Sequence, residues 1–397
     1  MLLLLASAPG LGQRVHALSA GMQPVSAALA EEMLLTLLAG VLIILFLARN
    51  GILWAGIATA ILIGACQVPA WERLNTLAPS FALVGIFAAG LAAAARERTK
   101  RRALVARTFA ETLPRPVFDR LVREPELLKL DGETRTVTYL SGGVRDFSAL
   151  AAVFVDAPYD FTKLMRLVAG KMLDAAVRHG GTLDRVSSDG LSVFWNAPLD
   201  DAQHVAHACE AALAIGRALA EAKAEIAATH LVDPTLLDRI EIGTGLASGA
   251  AVAGQFGARE HAVYSVSGEP VARADGAKTA SQRYGFAIVA DAATAKDVGD
   301  TFALLEIDTT PSGKVYALLG NAGVRVSPKF RALSTFHTHI FAMIGAREWS
   351  KARALIVQCR KLSGASQPLY DLYLDRLDVL ENALPADWDG TLNAERL

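Results

Sequence analysis

The chain has 397 residues, with 39 basic and 40 acidic side chains and a formal net charge of −1 at pH 7. This length is sufficient for more than one domain, and the balanced charge excludes a large basic surface for nucleic acid. Cys66, Cys209 and Cys359 show no metal-ligand spacing, which argues against a zinc site and against a disulfide framework.

The first hundred residues contain three apolar runs, at 33–48, 51–69 and 79–95. Each approaches the ~20 residues that a membrane-spanning helix needs, although the first and third are slightly short, so we predict three transmembrane helices over residues 33–95. A basic segment, 96–102, follows the third run, and basic residues are retained on the cytoplasmic side. These features predict a multi-pass protein of the inner (plasma) membrane, with residues 1–32 outside and the rest of the chain after the spans in the cytoplasm.

Residues 96–133 combine basic side chains with apolar ones at helical spacing, such as Phe109 and Leu121. This pattern predicts a linker helix that is interrupted near Pro114 and Pro116. Two interpretations are open. The helix either pairs with a second copy and transmits a signal, or it packs on its own domain.

Residues 134–320 alternate strand and helix patterns, and Asp189-Gly190 between two apolar runs is a strong hairpin signal. This order predicts an α/β sandwich, a mainly antiparallel sheet with helices on one face. The glycine-rich stretch 243–249 does not indicate a dinucleotide site, because that motif joins a strand directly to a helix; two strands with a glycine turn are expected instead. Residues 321–397 read as a small α-helical tail.

Several segments of the middle region match a known family in order and spacing: "RHGGTLD" (178–184), "SDGLSVFWNAP" (188–198), "GTGLASGAAVAGQFG" (243–257) and "YSVSGEPV" (264–271). Together they resemble the catalytic domain of class III adenylate and guanylate cyclases, which implies a ferredoxin-like α+β fold for residues 134–320. The apolar runs and the tail resemble bacterial membrane-bound members with a CHASE-type sensor. Residues 1–32 are accordingly interpreted as an extracytoplasmic remnant of such a sensor.

The resemblance implies a two-metal mechanism at the interface of two paired domains. In the family, two aspartates hold two Mg or Mn ions, while the partner domain supplies an asparagine and an arginine that act on ATP or GTP. A lysine and its partner select the base. In this chain the two aspartate positions fall on Gly143 and Asp189. The asparagine position falls on Ala272 and the arginine position on Gly276. The base-selecting lysine falls on Arg185 and its partner on Ser265. One metal ligand and both partner-supplied groups are therefore missing.

What remains is a single residual metal ligand, Asp189, and two nucleotide-binding positions, Arg185 and Ser265. Asp189 also has a structural interpretation, because Asp-Gly is a favoured hairpin turn pair. We therefore expect a catalytically degenerate cyclase homologue that pairs as a homodimer, or as a heterodimer with another cyclase domain. It would regulate or scaffold a partner in cyclic nucleotide signalling, and would need Mg or Mn only for residual activity or nucleotide binding.

Two alternatives stay open. The chain could be an active adenylate or guanylate cyclase that uses unusual ligands, for which Asp146, Glu269 and Asp275 are the candidates. A carboxylate near the phosphate site repels the triphosphate unless a metal bridges the two. Alternatively, the domain binds a nucleotide without turnover, and the bound nucleotide stabilises one arrangement of a dimer.

Overall fold

The structure is a computed structural model that describes seven segments of the chain, residues 77–109, 115–129, 131–229, 234–257, 263–362, 366–384 and 388–392. The chain divides into two compact units, residues 1–103 and residues 104–397. All the described strands belong to the second unit, which therefore contains the candidate site. The predicted sensor remnant, residues 1–32, lies outside the described segments.

Among the described segments, no helix combines the length and the apolar character needed to cross a membrane. The third apolar run, 79–95, lies in helix α1 (Leu77–Phe109). It ends where the charged residues begin at Arg96, which leaves it short of the ~20 apolar residues that a bilayer core requires. The prediction of three transmembrane helices, and of an inner-membrane location with the N-terminus outside, is therefore wrong. The first two runs, 33–48 and 51–69, lie outside the described segments.

The remaining helices are α2 (Arg115–Arg123), α3 (Phe147–Val153), α4 (Pro158–Arg178), α5 (His204–Thr229), α6 (Pro234–Leu237), α7 (Glu269–Tyr284), α8 (Ala292–Val298), α9 (Ala322–Arg325), α10 (Pro328–Gly345), α11 (Trp349–Arg360) and α12 (Gln367–Asn382). Local chemistry sets several of these bounds. The Ser327 hydroxyl accepts a hydrogen bond from the Phe330 amide at 3.2 Å and so caps α10. Gly285 ends α7 in the left-handed conformation, with φ of 67°.

The strands are β1 (Glu133–Val144), β2 (Thr182–Val186), β3 (Gly190–Trp195), β4 (Ile242–Phe256), β5 (Val263–Ser267), β6 (Ile288–Asp291), β7 (Ala303–Thr310) and β8 (Gly313–Gly320). They form one sheet in the order β2-β3-β1-β4-β6-β8-β7, and β5 pairs with β4. The pair β4–β6 is parallel and the other pairs are antiparallel. The mainly antiparallel α/β arrangement and the hairpin around Asp189-Gly190 are therefore confirmed.

Helices cover both faces of the sheet, whereas the sequence pattern predicted helices on one face. On the central strand β1, Thr138 hydrogen-bonds His204 of α5 at 2.7 Å, whereas Ser141 donates to Asp275 of α7 at 2.6 Å. These two residues are three positions apart, and side chains alternate between the faces of a strand, so α5 and α7 lie on opposite faces. Every residue of β1 from Val137 onward is buried as a result.

Strand β4 is a single strand of 15 residues where the sequence suggested two strands and a glycine turn. Its glycines serve the approach of α7. A Cβ added to Gly245 would stand 2.0 Å from the carbonyl oxygen of Ala274, and one added to Gly243 would stand 2.2 Å from the Ser281 hydroxyl. Close packing of helix on strand thus explains the glycines, because only a residue without a side chain fits there.

The end of α1 and helix α2 pack on the same face as α7. Val105, Phe109 and Leu121 are buried there, in a cluster that includes Tyr139 and Tyr264. The rings of Phe109 and Tyr264 lie 5.2 Å apart. These contacts favour the second interpretation of the linker, in which it packs on its own domain.

The tail helices α10, α11 and α12 form a core of their own with the outer strands β7 and β8. At its centre, the buried Arg376 donates two hydrogen bonds of 3.0 Å to the buried carboxylate of Asp308 on β7. His337 of α10 is also buried and hydrogen-bonds the Tyr370 hydroxyl of α12 at 3.0 Å. The tail is therefore joined to the sheet through an extensive apolar and polar interface.

Candidate functional site

The candidate site lies at the ends of the adjacent strands β1 and β3. Gly143 of β1 is opposite Gly190 of β3, and the Val144 amide donates to the Asp189 carbonyl at 2.8 Å. A Cβ added to Gly143 would stand 2.8 Å from Oδ2 of Asp189. The two aspartate positions implied by the resemblance are thus neighbours in space, but one of them carries no ligand.

Asp189 has its carboxylate oxygens occupied by other side chains. The Ser187 hydroxyl donates to Oδ1 at 2.6 Å, and the Lys278 ammonium of α7 donates to Oδ2 at 3.2 Å. Burial raises the pKa of the Asp189 carboxyl, but the Ser187 hydrogen bond and the charge of Lys278 outweigh it, so the pKa lies below its usual value. The carboxylate is therefore ionised at neutral pH, with a lysine as its counter-ion.

The residues present do not fit the two-metal arrangement of the family. Divalent Mg and Mn take several oxygen ligands, and Asp189 is accompanied by Gly143 and by a positive charge. In the described segments, no three His, Cys, Asp or Glu side chains are grouped so that they could hold a metal ion. Gly143 therefore leaves Asp189 as the one side-chain ligand at the two positions that the resemblance implies.

The three substitute ligands considered for an active enzyme are engaged elsewhere. Asp146 accepts a hydrogen bond from Gln282 at 2.6 Å. Glu269 forms an ion pair with Arg273, one turn along α7, at 2.7 Å. Both carboxylates are therefore bound to side chains of α7, Asp146 to Gln282 and Glu269 to Arg273.

Asp275, the third candidate, connects α7 to two strands. It accepts a hydrogen bond from Ser141 of β1 at 2.6 Å and one from Arg185 of β2 at 3.0 Å. Arg185 is therefore a charged residue with an acidic partner, and 55% of its side chain remains exposed.

Ser265, the other predicted nucleotide-binding residue, belongs to a separate hydrogen-bonded group. It donates to Oδ1 of Asp184, whose Oδ2 accepts from the Tyr139 hydroxyl at 2.6 Å. Burial, and then Asp184, raise the pKa of Tyr139 far above its usual range, so this hydroxyl stays protonated. The structure thus places Arg185 and Ser265 on one sheet face, where Arg185 pairs with Asp275 and Ser265 pairs with Asp184.

Ala272 and Gly276 lie one helical turn apart on the exposed side of α7. A Cβ added to Gly276 would meet no atom within 4 Å. The positions that correspond to the asparagine and arginine of the family thus face open space, and neither carries a polar side chain.

Sequence reasoning missed Lys278, Ser187 and Asp184, which all contact the predicted site residues. Ser187 is two residues from Asp189 in the same hairpin turn, so this contact is between near neighbours in the sequence. Lys278 is 89 residues from Asp189. No local spacing signals that pair, which depends on the packing of α7 against β4.

Comparison with known proteins agrees with the coarse resemblance. No protein-family model matches the chain. It is 25% identical over 193 residues to Adenylate cyclase 1 of Rhizobium meliloti (strain 1021), which covers 49% of this chain and 28% of that protein. An uncharacterized protein of Mycobacterium tuberculosis (strain ATCC 25618 / H37Rv) is 30% identical over 148 residues, 37% of this chain and 24% of that protein. The chain thus spans about a quarter of the length of these relatives.

Among solved structures, the adenylyl cyclase CyaB from P. aeruginosa is 20% identical to this chain, with a TM-score of 0.43. The match covers 48% of this chain and 96% of that structure. The sequence similarity to Adenylate cyclase 1 also concerns about half of this chain.

Proposed function

We propose that the chain is a catalytically degenerate homologue of the nucleotidyl cyclases that regulates or scaffolds a partner in cyclic nucleotide signalling. The observation that carries this proposal is the Lys278–Asp189 ion pair beside Gly143, in the place where the family resemblance implies two metal ions. Removing one transition-state donor from an enzyme typically costs about 2.7–4 kcal/mol. Here both such positions, Ala272 and Gly276, are without polar side chains as well.

The preserved framework supports the regulatory part of the proposal. The sheet, the hairpin at Asp189 and helix α7 are all present, Ala272 and Gly276 are exposed on α7, and a Cβ added to Gly276 would meet no atom within 4 Å. The resemblance implies that a second cyclase domain would pair on this side, because the partner-supplied positions Ala272 and Gly276 lie there. We propose a homodimer or a heterodimer through this face, with ATP or GTP as the candidate ligands and Arg185 and Ser265 as the residues nearest to them.

An active cyclase with substitute ligands is disfavoured by the same contacts. Asp146, Glu269 and Asp275 each have a partner of their own. Mg or Mn would be required only if residual turnover or nucleotide binding exists. A switch that binds a nucleotide without turnover remains compatible with this proposal, and thermal stabilisation by ATP or GTP would distinguish it from a pure scaffold.

The test has two parts, both on the full chain. Cyclic AMP and cyclic GMP formation is measured with Mg or Mn and either triphosphate, and the Asp189→Ala variant serves as the blank. We expect no product above this blank; product that disappears in the variant would contradict the proposal. Sedimentation velocity then measures self-association and association with an active cyclase domain. A chain that stays monomeric both alone and when it is mixed with the active cyclase domain would contradict the regulatory role.

A further inference from the structure

The position of Lys278 is determined by backbone packing rather than by a flexible surface contact. Helix α7 lies so close to β4 that a Cβ added to Gly245 would stand 2.3 Å from the Lys278 amide nitrogen. The helix backbone therefore holds Lys278 beside the strand ends. From there its ammonium lies 3.2 Å from Oδ2 of Asp189.

The pair is partly shielded from solvent on both sides. The Lys278 side chain is 26% exposed and that of Asp189 is 29% exposed. Salt screens such a pair less than a fully exposed one. By contrast, the ion pair of Lys314 with Glu306 has a similar length, 2.9 Å, but its lysine is 55% exposed. Lys278 is thus the better placed of these two lysines to act as a permanent counter-ion.

Gly143 supplies the space that this arrangement needs. A side chain at residue 143 would contact Oδ2 of Asp189, the same oxygen that Lys278 binds, at 2.8 Å. A second carboxylate there would compete for the ammonium and would recreate a pair of acidic ligands. Glycine at 143 and lysine at 278 are therefore complementary. The glycine leaves out the negative charge that the family's aspartate would carry, and the lysine supplies a positive charge to Asp189.

We infer that the Lys278 ammonium takes the place of a divalent cation on Asp189. The Asp189 carboxylate is thereby neutralised without a metal ion, and Mg and Mn bind at this position only when Lys278 is removed. The inference does not depend on the regulatory role proposed above, since it concerns cation binding alone. It would hold for a scaffold and for a nucleotide-binding switch alike.

The experiment measures Mn binding to the full chain by the loss of the electron paramagnetic resonance signal of free Mn. We expect the dissociation constant for Mn to be at least tenfold lower in Lys278→Met than in the wild type. That gain should disappear in Lys278→Met/Asp189→Asn. Lys314→Met is the matched control, because it removes an ion pair outside the site and should bind Mn as the wild type does. Equal affinity in the wild type and Lys278→Met would overturn the inference.

A second comparison restores the missing ligand. We expect Gly143→Asp alone to bind Mn no more tightly than the wild type, because Lys278 neutralises the added carboxylate. Gly143→Asp/Lys278→Met should bind one Mn per chain more tightly than Lys278→Met. Tight binding by Gly143→Asp alone would contradict the proposed competition. Circular dichroism and the thermal midpoint verify that each variant is folded; if the Gly143 variants are not, the Lys278→Met comparison alone decides.

Discussion

The Ser141 hydroxyl of β1 donates a 2.6 Å hydrogen bond to Oδ1 of Asp275 on α7, at the face of the sheet where the candidate site lies. The other oxygen of the same carboxylate accepts from Arg185 of β2 at 3.0 Å. Asp275 thus links three elements of secondary structure. Asp275, considered above as a candidate substitute ligand, thus has a structural role in this arrangement.

This relationship predicts unequal effects of two substitutions. Asp275→Ala should reduce the free energy of unfolding by about 1–3 kcal/mol, because the buried Ser141 hydroxyl loses its acceptor. Arg185→Ala should cost at most about 1 kcal/mol, since 55% of that side chain is exposed and the ion pair is screened. Urea denaturation of both variants measures the difference, and equal effects would contradict the assignment.

Gly276 within α7 and Gly245 on the neighbouring strand β4 should respond in opposite ways to a larger side chain. Gly276→Arg should leave the stability unchanged or raise it by up to about 1 kcal/mol, because the position is open and arginine favours a helix more than glycine does. Gly245→Ala should destabilise the domain by more than about 1 kcal/mol, because its Cβ would overlap the Ala274 carbonyl of α7. Thermal midpoints test this pair, and a tolerated Gly245→Ala would mean that α7 can move away from β4.

The tail depends on a buried ion pair. Arg376→Met should cost about 3–5 kcal/mol of unfolding free energy, since it leaves the Asp308 carboxylate buried without its cation. Arg353→Met is the control, because that arginine is 34% exposed and pairs with Asp378 and Glu381 near the surface. We expect it to cost about 1 kcal/mol or less. Similar losses in both variants would show that Arg376 is not specially important.

The tail should also lose stability in mild acid. Burial lowers the pKa of His337 to about 4 in the folded protein, against 6.5 for a free histidine. Between these values the unfolded chain binds more protons than the folded one, so stability declines as the pH falls from 6.5 towards 4. The slope from this residue is at most about 1.4 kcal/mol per pH unit.

The measurement is the urea midpoint between pH 7 and pH 4.5 for the wild type and for His337→Gln. The variant should be less stable at pH 7 but should show a shallower decline in acid, because glutamine takes up no proton. Above pH 6.5 neither protein should show a slope from this position. Parallel declines in both proteins would assign the acid sensitivity to other groups.

Much of the fold followed from the sequence because the relevant signals are local. Alternating apolar residues predicted the strands, and the Asp189-Gly190 pair predicted the hairpin, since these depend on near neighbours in the chain. The apolar run at 79–95 misled for the same reason. Its composition is that of a membrane segment, but the run falls short of the ~20 apolar residues that a bilayer core requires, and no helix of the described segments meets that requirement.

The sequence by itself determined which side chains the site lacks: glycine at 143, alanine at 272 and glycine at 276 can offer no side-chain ligand in any fold. Only the tertiary structure decided what is present instead. Lys278 reaches Asp189 because the glycines of β4 let α7 pack closely on the sheet, and that contact joins residues 89 positions apart. Pairing at such separation depends on how helix and sheet pack together, which no local pattern encodes.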